Sequence, residues 1–299
     1  MITLLSDRAM ASAPITRFFE NLSSASPVAA GRAALLLFTH PLRPAVQTRA
    51  EQRLVRKAQA KLDRAERKDL RVAGYRIATY RFAAICPKPK GRVLLVHGWT
   101  SAAKFMTAPV DDLLDRGYEV IAFDMPAHGR SSGKRAEMMD CVLTMLAVAD
   151  HYGAIDQVIA HSFGGPVSAL AVSSGLSEGF SDDTRLLFIA SPNRLADVTE
   201  QFARAIGLTA DAQHWFEERL VEPFGVAVED MDANILLSGC PNPLTVMHSR
   251  DDREVAFDAA EKFAQMGDRV ELRPLDGLGH RRILHAQPSM HALLEAVSV

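Results

Sequence analysis

The run Val158-Ile159-Ala160-His161-Ser162-Phe163-Gly164-Gly165 constrains this chain more than any other. A short apolar run of strand type ends abruptly at Ser162, and a helical pattern resumes by Val167. A strand that turns into a helix within so few residues brings the two backbones close together. Only small side chains fit where they converge, and Ala160 and Gly164, two before and two after the serine, are small. The turn residue takes a strained backbone conformation that lifts its side chain clear of both elements. Glycine is usual at both flanking positions, so Ala160 departs from the pattern by one methyl group.

The rest of the chain alternates in the same way. Short apolar runs at 93–96, 120–123, 157–160, 186–189, 244–247 and 269–275 predict strands, and 75–84 predicts an edge strand or hairpin. Helical patterns at 109–116, 136–150, 166–174 and 255–266 lie between them. Continuous apolar strands separated by helices imply an α/β fold: a mainly parallel twisted sheet with helices on both faces. The interval between Ile189 and Leu244 has no strand pattern. Asn193 is placed to cap a helix ending at Gly207, and Thr209 to cap a second one before Pro223. With Phe202, Ile206, Trp215, Phe216 and Phe224, residues 192–241 predict a small helical cap insertion over a cleft.

Residues 1–70 predict an N-terminal helical extension to a domain over 71–299. Ser26-Pro27 starts a helix through 28–38, and a charged helix is expected over 49–70. Between Arg43 and Arg76 there are eleven Lys and Arg against four Asp and Glu. This excess predicts a solvated helix face; the alternative is that residues 43–76 dock on a membrane surface of acidic lipid or on an acidic partner. The thin stripe of Leu54, Ala58, Leu62 and Ala65 favours the first. The whole chain has a net charge of −2, which argues against nucleic-acid binding. No apolar run approaches the roughly 20 residues of a membrane span. The opening MITLLSDRAM lacks a secretory leader pattern, and Cys86, Cys141 and Cys240 are odd in number and widely spaced. They read as reduced thiols, each a buried small hydrophobe, and the expected location is cytoplasmic.

A serine hydroxyl is a weak nucleophile unless a base adjoins it and an acid orients that base. After Ser162, the 244–247 strand leads into His248-Ser249-Arg250-Asp251-Asp252-Arg253-Glu254-Val255, and the last strand leads into Gly279-His280. Acid and base thus follow the C-terminal ends of strands, where open α/β sheets place their sites. The segments His97-Gly98-Trp99, Asp124 to Ser131, Ala160 to Gly165, Asp251 to Val255 and Gly279-His280 resemble those of the α/β-hydrolase superfamily, from about residue 72 to the end. The resemblance implies Ser162 as nucleophile, His280 as general base and Asp252 as the orienting acid. Asp251 competes with Asp252, and His248 and His285 with His280. It implies an oxyanion hole from the backbone N–H groups of Phe163 and Trp99, whose side chains would line an apolar acyl pocket. His161, His128 and Asp124 are expected to shape the site.

No cofactor or metal is expected, since neither a dinucleotide loop, a phosphate loop nor a Cys/His cluster with ligand spacing occurs. Arg281 and Arg282 are read as surface ion-pair residues before substrate ligands. The expected activity is a serine hydrolase acting on a small-molecule carboxylic ester or thioester with an apolar acyl group. The alternatives are a same-fold peptidase or amidase, a C–C bond hydrolase, an acyltransferase, or a non-catalytic ligand-binding member. Oligomeric state is not legible.

Overall fold

The computed structural model describes residues 13–41 and 49–298. Its framework is an eight-stranded sheet of order β1-β2-β4-β3-β5-β6-β7-β8. These strands are β1 (Glu66–Val72), β2 (Tyr75–Phe82), β3 (Gly91–Val96), β4 (Tyr118–Phe123), β5 (Gln157–His161), β6 (Arg185–Ile189), β7 (Leu244–Ser249) and β8 (Val270–Leu275). From β4 to β8 every neighbouring pair is parallel; β2 is antiparallel to both β1 and β4.

The apolar runs are continuous because both faces of the sheet are covered. Leu94, Val96, Ile121, Phe123, Val158, Ala160, Leu186 and Phe188 point into one core. Val93, Leu95, Val120, Ala122, Ile159, Leu187 and Ile189 alternate with them and point into the other. The first core also takes residues of α5 (Met138–Tyr152), α6 (Gly164–Ser173) and α10 (Asp258–Ala264). The second takes residues of α4 (Val110–Asp115) and α12 (Gln287–Ser298).

The expected charged helix over 49–70 is too long. It ends as α3 (Arg49–Leu62), and Glu66–Val72 is instead the outermost strand, paired with β2. Thus β2 is an inner strand of the hairpin, with only Ile77, Ala78, Thr79, Tyr80 and Phe82 buried. β1 shows no apolar alternation because its side chains are largely exposed. Its register is set by backbone pairing and flanking charges: Asp69 meets Arg67 and Arg76, and Glu66 meets Arg81. Part of the basic excess is matched likewise, with Lys61 and Arg64 both on Asp111. Residues 43–48 of that basic stretch and the opening MITLLSDRAM lie outside the described residues.

The N-terminal segment contributes α1 (Ala13–Ala25) and α2 (Pro27–Thr39). Ser26 caps α2 by accepting from the Ala29 N–H at 3.3 Å, with Pro27 in the first turn. The interval between β6 and β7 holds α7 (Leu195–Ile206), α8 (Ala210–Val221) and α9 (Ala233–Leu237), with two short 3-10 turns between α8 and α9. Gly207 ends α7 in the left-handed conformation, φ +78°. Arg194, not Asn193, is the residue before α7; the Asn193 amide donates to Asn234 Oδ1 at 2.8 Å. Helix α2 packs directly on α8, and Phe38 makes edge contacts with both Phe202 and Phe216. These two aromatics are fully buried, with Phe38 of the N-terminal helix against both. Trp215 faces α2 as well: a Cβ built on Gly31 would come within 2.6 Å of its ring.

Candidate active site

Ser162 occupies the turn between β5 and α6 with φ +52°, a left-handed conformation that costs a non-glycine residue on the order of 1–3 kcal/mol. The neighbourhood holds it there. The Ser162 N–H donates to the Ile189 carbonyl at 2.9 Å, and the Gly165 N–H returns to the Ser162 carbonyl at 2.9 Å. A Cβ on Gly164 would lie 2.7 Å from the Val96 carbonyl oxygen and 2.9 Å from that of His97. A Cβ on Gly165 would overlap Ser191 Oγ. The closest approach of helix and sheet therefore falls after the serine. Before it, Ala160 is paired in register with Val96 and Phe188 and its methyl is accommodated in the core.

The loops after β7 and β8 bring their side chains to this turn. His280 Nε2 lies 3.1 Å from Ser162 Oγ, and His280 Nδ1 lies 2.8 Å from Asp252 Oδ2. All three residues are buried. Asp252 Oδ1 accepts from the N–H groups of Glu254 at 2.8 Å and Val255 at 3.0 Å. Burial alone would raise the Asp252 carboxyl; contacts with His248 and His280 and the Val255 N–H outweigh it and hold the group ionised far below the usual carboxylate range.

Asp251 stands elsewhere. Its Oδ1 accepts from Ser249 Oγ and from the Gly279 N–H, and Ser249 Oγ accepts from the N–H groups of Leu278 and Gly279. Asp251 thus ties down the backbone immediately before His280. His248 was not singled out by the motif except as a rival base. It is fully buried, donating from Nε2 to the Val255 carbonyl at 3.0 Å, with the same nitrogen 3.4 Å from Asp252 Oδ2. The signal available in the sequence was its spacing of four from Asp252. His161 Nε2 donates to the His280 carbonyl at 3.0 Å, and its ring lies 4.8 Å from that of His280. Burial and the neighbouring His280 both push the His161 pKa well down, so it stays neutral. His285 lies outside this cluster, in the turn before α12.

The loop from His97 to Thr100 passes beside the serine. A Cβ on Gly98 would come within 2.9 Å of Ser162 Cβ. The Thr100 N–H donates to His128 Nε2 at 3.1 Å, and the Met125 N–H to His97 Nε2 at 3.0 Å. Both rings accept there, so their protons sit on Nδ1, facing the Pro126 and Gly98 carbonyls. Asp124 takes hydrogen bonds from Tyr80 and from the N–H groups of Ala103 and Arg130, each at 2.8 Å. Asp124 and His128 thereby fix the loop that carries Trp99.

Trp99 and Phe163 meet edge to face at 5.2 Å. They and Ser162 line a mainly apolar cavity of about 90 Å³. Its other walls come from Met138 and Met139 of α5, Leu195 and Val198 of α7, Leu220 of α8, and Pro223 and Phe224 beyond. Leu35, Phe38 and Thr39 of α2 line it as well. Arg135, Arg194 and Arg219 reach the same cavity, each paired with an acid: Glu137, Asp197 and Glu222. Arg281 pairs with Glu254 at 3.2 Å. Among the described residues no group of three His, Cys, Asp or Glu side chains gathers in a way that fits a metal ion. No described helix is long and apolar enough to cross a membrane.

The chain is similar to the AB hydrolase superfamily protein YisY of Bacillus subtilis (strain 168), at 24% identity over 69% of this chain and 91% of that one. Among solved structures it resembles Est1E from Butyrivibrio proteoclasticus, bound there to ferulic acid, with 19% identity and a TM-score of 0.61 over 77% of this chain and 96% of that one. It also resembles the thioesterase domain of the curacin biosynthetic pathway, with 14% identity and a TM-score of 0.55 over 79% and 99%. The sequence model described as "Alpha/beta hydrolase family" matches residues 93–295, from β3 into the last helix, and on that match the chain belongs to the alpha/beta hydrolase family.

Proposed function

We propose that this protein is a serine hydrolase that cleaves a carboxylic ester or thioester through an acyl-enzyme intermediate. The observation that carries the reading is the hydrogen-bonded line from Ser162 through His280 to Asp252, opening on an apolar cavity. Ser162 Oγ attacks the substrate carbonyl carbon while His280 Nε2 takes its proton. Asp252 holds the ring by the Nδ1 proton and stabilises the imidazolium that forms. The carbonyl oxygen becomes an oxyanion, received by the backbone N–H groups of Phe163 and Trp99. Collapse expels the alcohol or thiol, which takes the proton from His280. Water then attacks the acyl-serine, giving up a proton to His280, and the carboxylic acid leaves as Ser162 is restored.

The support is chemical. A buried carboxylate held ionised beside one imidazole nitrogen, with a hydroxyl at the other, is what general-base activation of serine requires. The mainly apolar walls suit an aliphatic or aromatic acyl group.

A fluorophosphonate probe tests the nucleophile. Wild type is expected to label covalently and Ser162→Ala is not; equal labelling of the two would sink the assignment. A panel of p-nitrophenyl esters and acyl thioesters tests the activity, and His280→Ala is expected to lose most turnover with circular dichroism unchanged. Neither labelling nor turnover across the panel would favour a ligand-binding member without catalysis.

A further inference from the structure

Helix α2 lies far before the hydrolase motifs in sequence, yet it is part of the cavity that holds Ser162. Leu35 and Thr39 stand one helical turn apart, on one face, and both line that cavity with Phe38. The helix is locked in place from several sides. Phe38 is wedged against Phe202 and Phe216 at ring separations of 5.0 and 4.9 Å. Gly31 lets the backbone of α2 press against Trp215. At the far end, the Ala136 N–H of the segment leading into α5 donates to the Thr39 carbonyl at 3.0 Å. Helix α1 is tied in as well, since a Cβ on Gly207 would come within 2.9 Å of both Thr16 and Glu20. The two N-terminal helices and the two long helices between β6 and β7 thus form one packed unit over the serine.

We propose that α2 is the acyl-length selector of this enzyme, with Leu35 as the residue against which a linear aliphatic acyl chain ends. The inference rests on the serine-hydrolase reading for its substrate class, and on the cavity walls for its residue. Leu35 is half-buried and apolar, and its helix carries one charged side chain, Arg32, which faces the Trp215 ring. A chain growing from the acyl carbon at Ser162 meets no charged group from α2. Each methylene that an apolar pocket accepts or refuses changes kcat/KM by roughly 10-fold or more.

The test compares Leu35→Trp, Leu35→Ala and wild type on p-nitrophenyl esters from acetyl to dodecanoyl. Thermal melting and circular dichroism serve as fold checks, and the pair of variants keeps the test open if the larger side chain prevents folding. In Leu35→Trp the ratio of octanoyl to acetyl kcat/KM is expected to fall at least about tenfold, mainly through KM. In Leu35→Ala the optimum is expected to move to longer chains. Folded variants with the wild-type profile would overturn the inference and leave the hydrolase reading standing. A second arm uses Ser162→Ala alone and with each Leu35 substitution, titrated calorimetrically with straight-chain carboxylates. If no ester or thioester is turned over by wild type, the hydrolase reading fails. The role of Leu35 is then decided by this arm: a shift in the preferred carboxylate length upholds it, and an unchanged preference overturns it.

Discussion

Neighbouring aspartates here have different work. Asp252 touches the His280 ring, whereas Asp251 holds the backbone turn just before it. Asp252→Asn is expected to cut kcat by about 10⁴, because the amide no longer favours the tautomer that leaves Nε2 free to accept. Asp251→Asn is expected to be far milder, and steady-state kinetics of the two variants separates the roles. A reversed ranking would make Asp251 the orienting acid. Gly164→Ala tests the strained turn: its methyl would press on two carbonyl oxygens, and urea unfolding is expected to show a loss of about 1–3 kcal/mol. That Ser162, Asp252 and His280 meet was legible because each lies in the turn or loop that follows a strand and within a motif. The parts played by His248, His161 and Asp251 were not. They act through backbone carbonyls and N–H groups, whose positions depend on how the loops close rather than on residue type.

Among the secondary-structure elements, the inner parallel strands are plain in the sequence because burial on both faces makes them continuously apolar. β1 is not, since an outermost strand with exposed side chains reads as a charged helix face. The interval between β6 and β7 was legible as helical from Gly207 after α7 and Thr209 before α8, but the destination of its aromatics was not. Phe202 and Phe216 bury themselves against Phe38, a partner far away along the chain that periodicity does not reveal. Phe38→Ala is therefore expected to cost about 3–5 kcal/mol, as for an aromatic removed from a packed core. Denaturant unfolding checks it. A loss below about 1 kcal/mol would mean that α2 only rests on the fold.

At the scale of the whole molecule, buried neutral histidines are expected to cost stability on the acid side. Burial lowers the pKa of His97 and His161 in the folded protein. The unfolded chain protonates both near pH 6.5 and the folded one does not, so stability falls as pH drops below about 6.5. Asp252 acts in a lower window: its lowered pKa contributes stability above about pH 4 that is lost on further acidification. Tm is expected to be flat from about pH 8 to 7 and to decline between about pH 6.5 and 5. A Tm rising over that interval would contradict the neutral assignment. The docking of α2 also has a consequence in time. The helix is synthesised before α3 and the whole sheet, while α7 and α8 follow β6. At about 5–20 residues per second, α2 leaves the ribosome roughly 10 to 30 seconds before the helices it clasps exist. During that interval Phe38 lacks the Phe202 and Phe216 rings it packs against, so the nascent chain carries an apolar helix face without its native cover and is exposed to capture by chaperones until α7 and α8 are made.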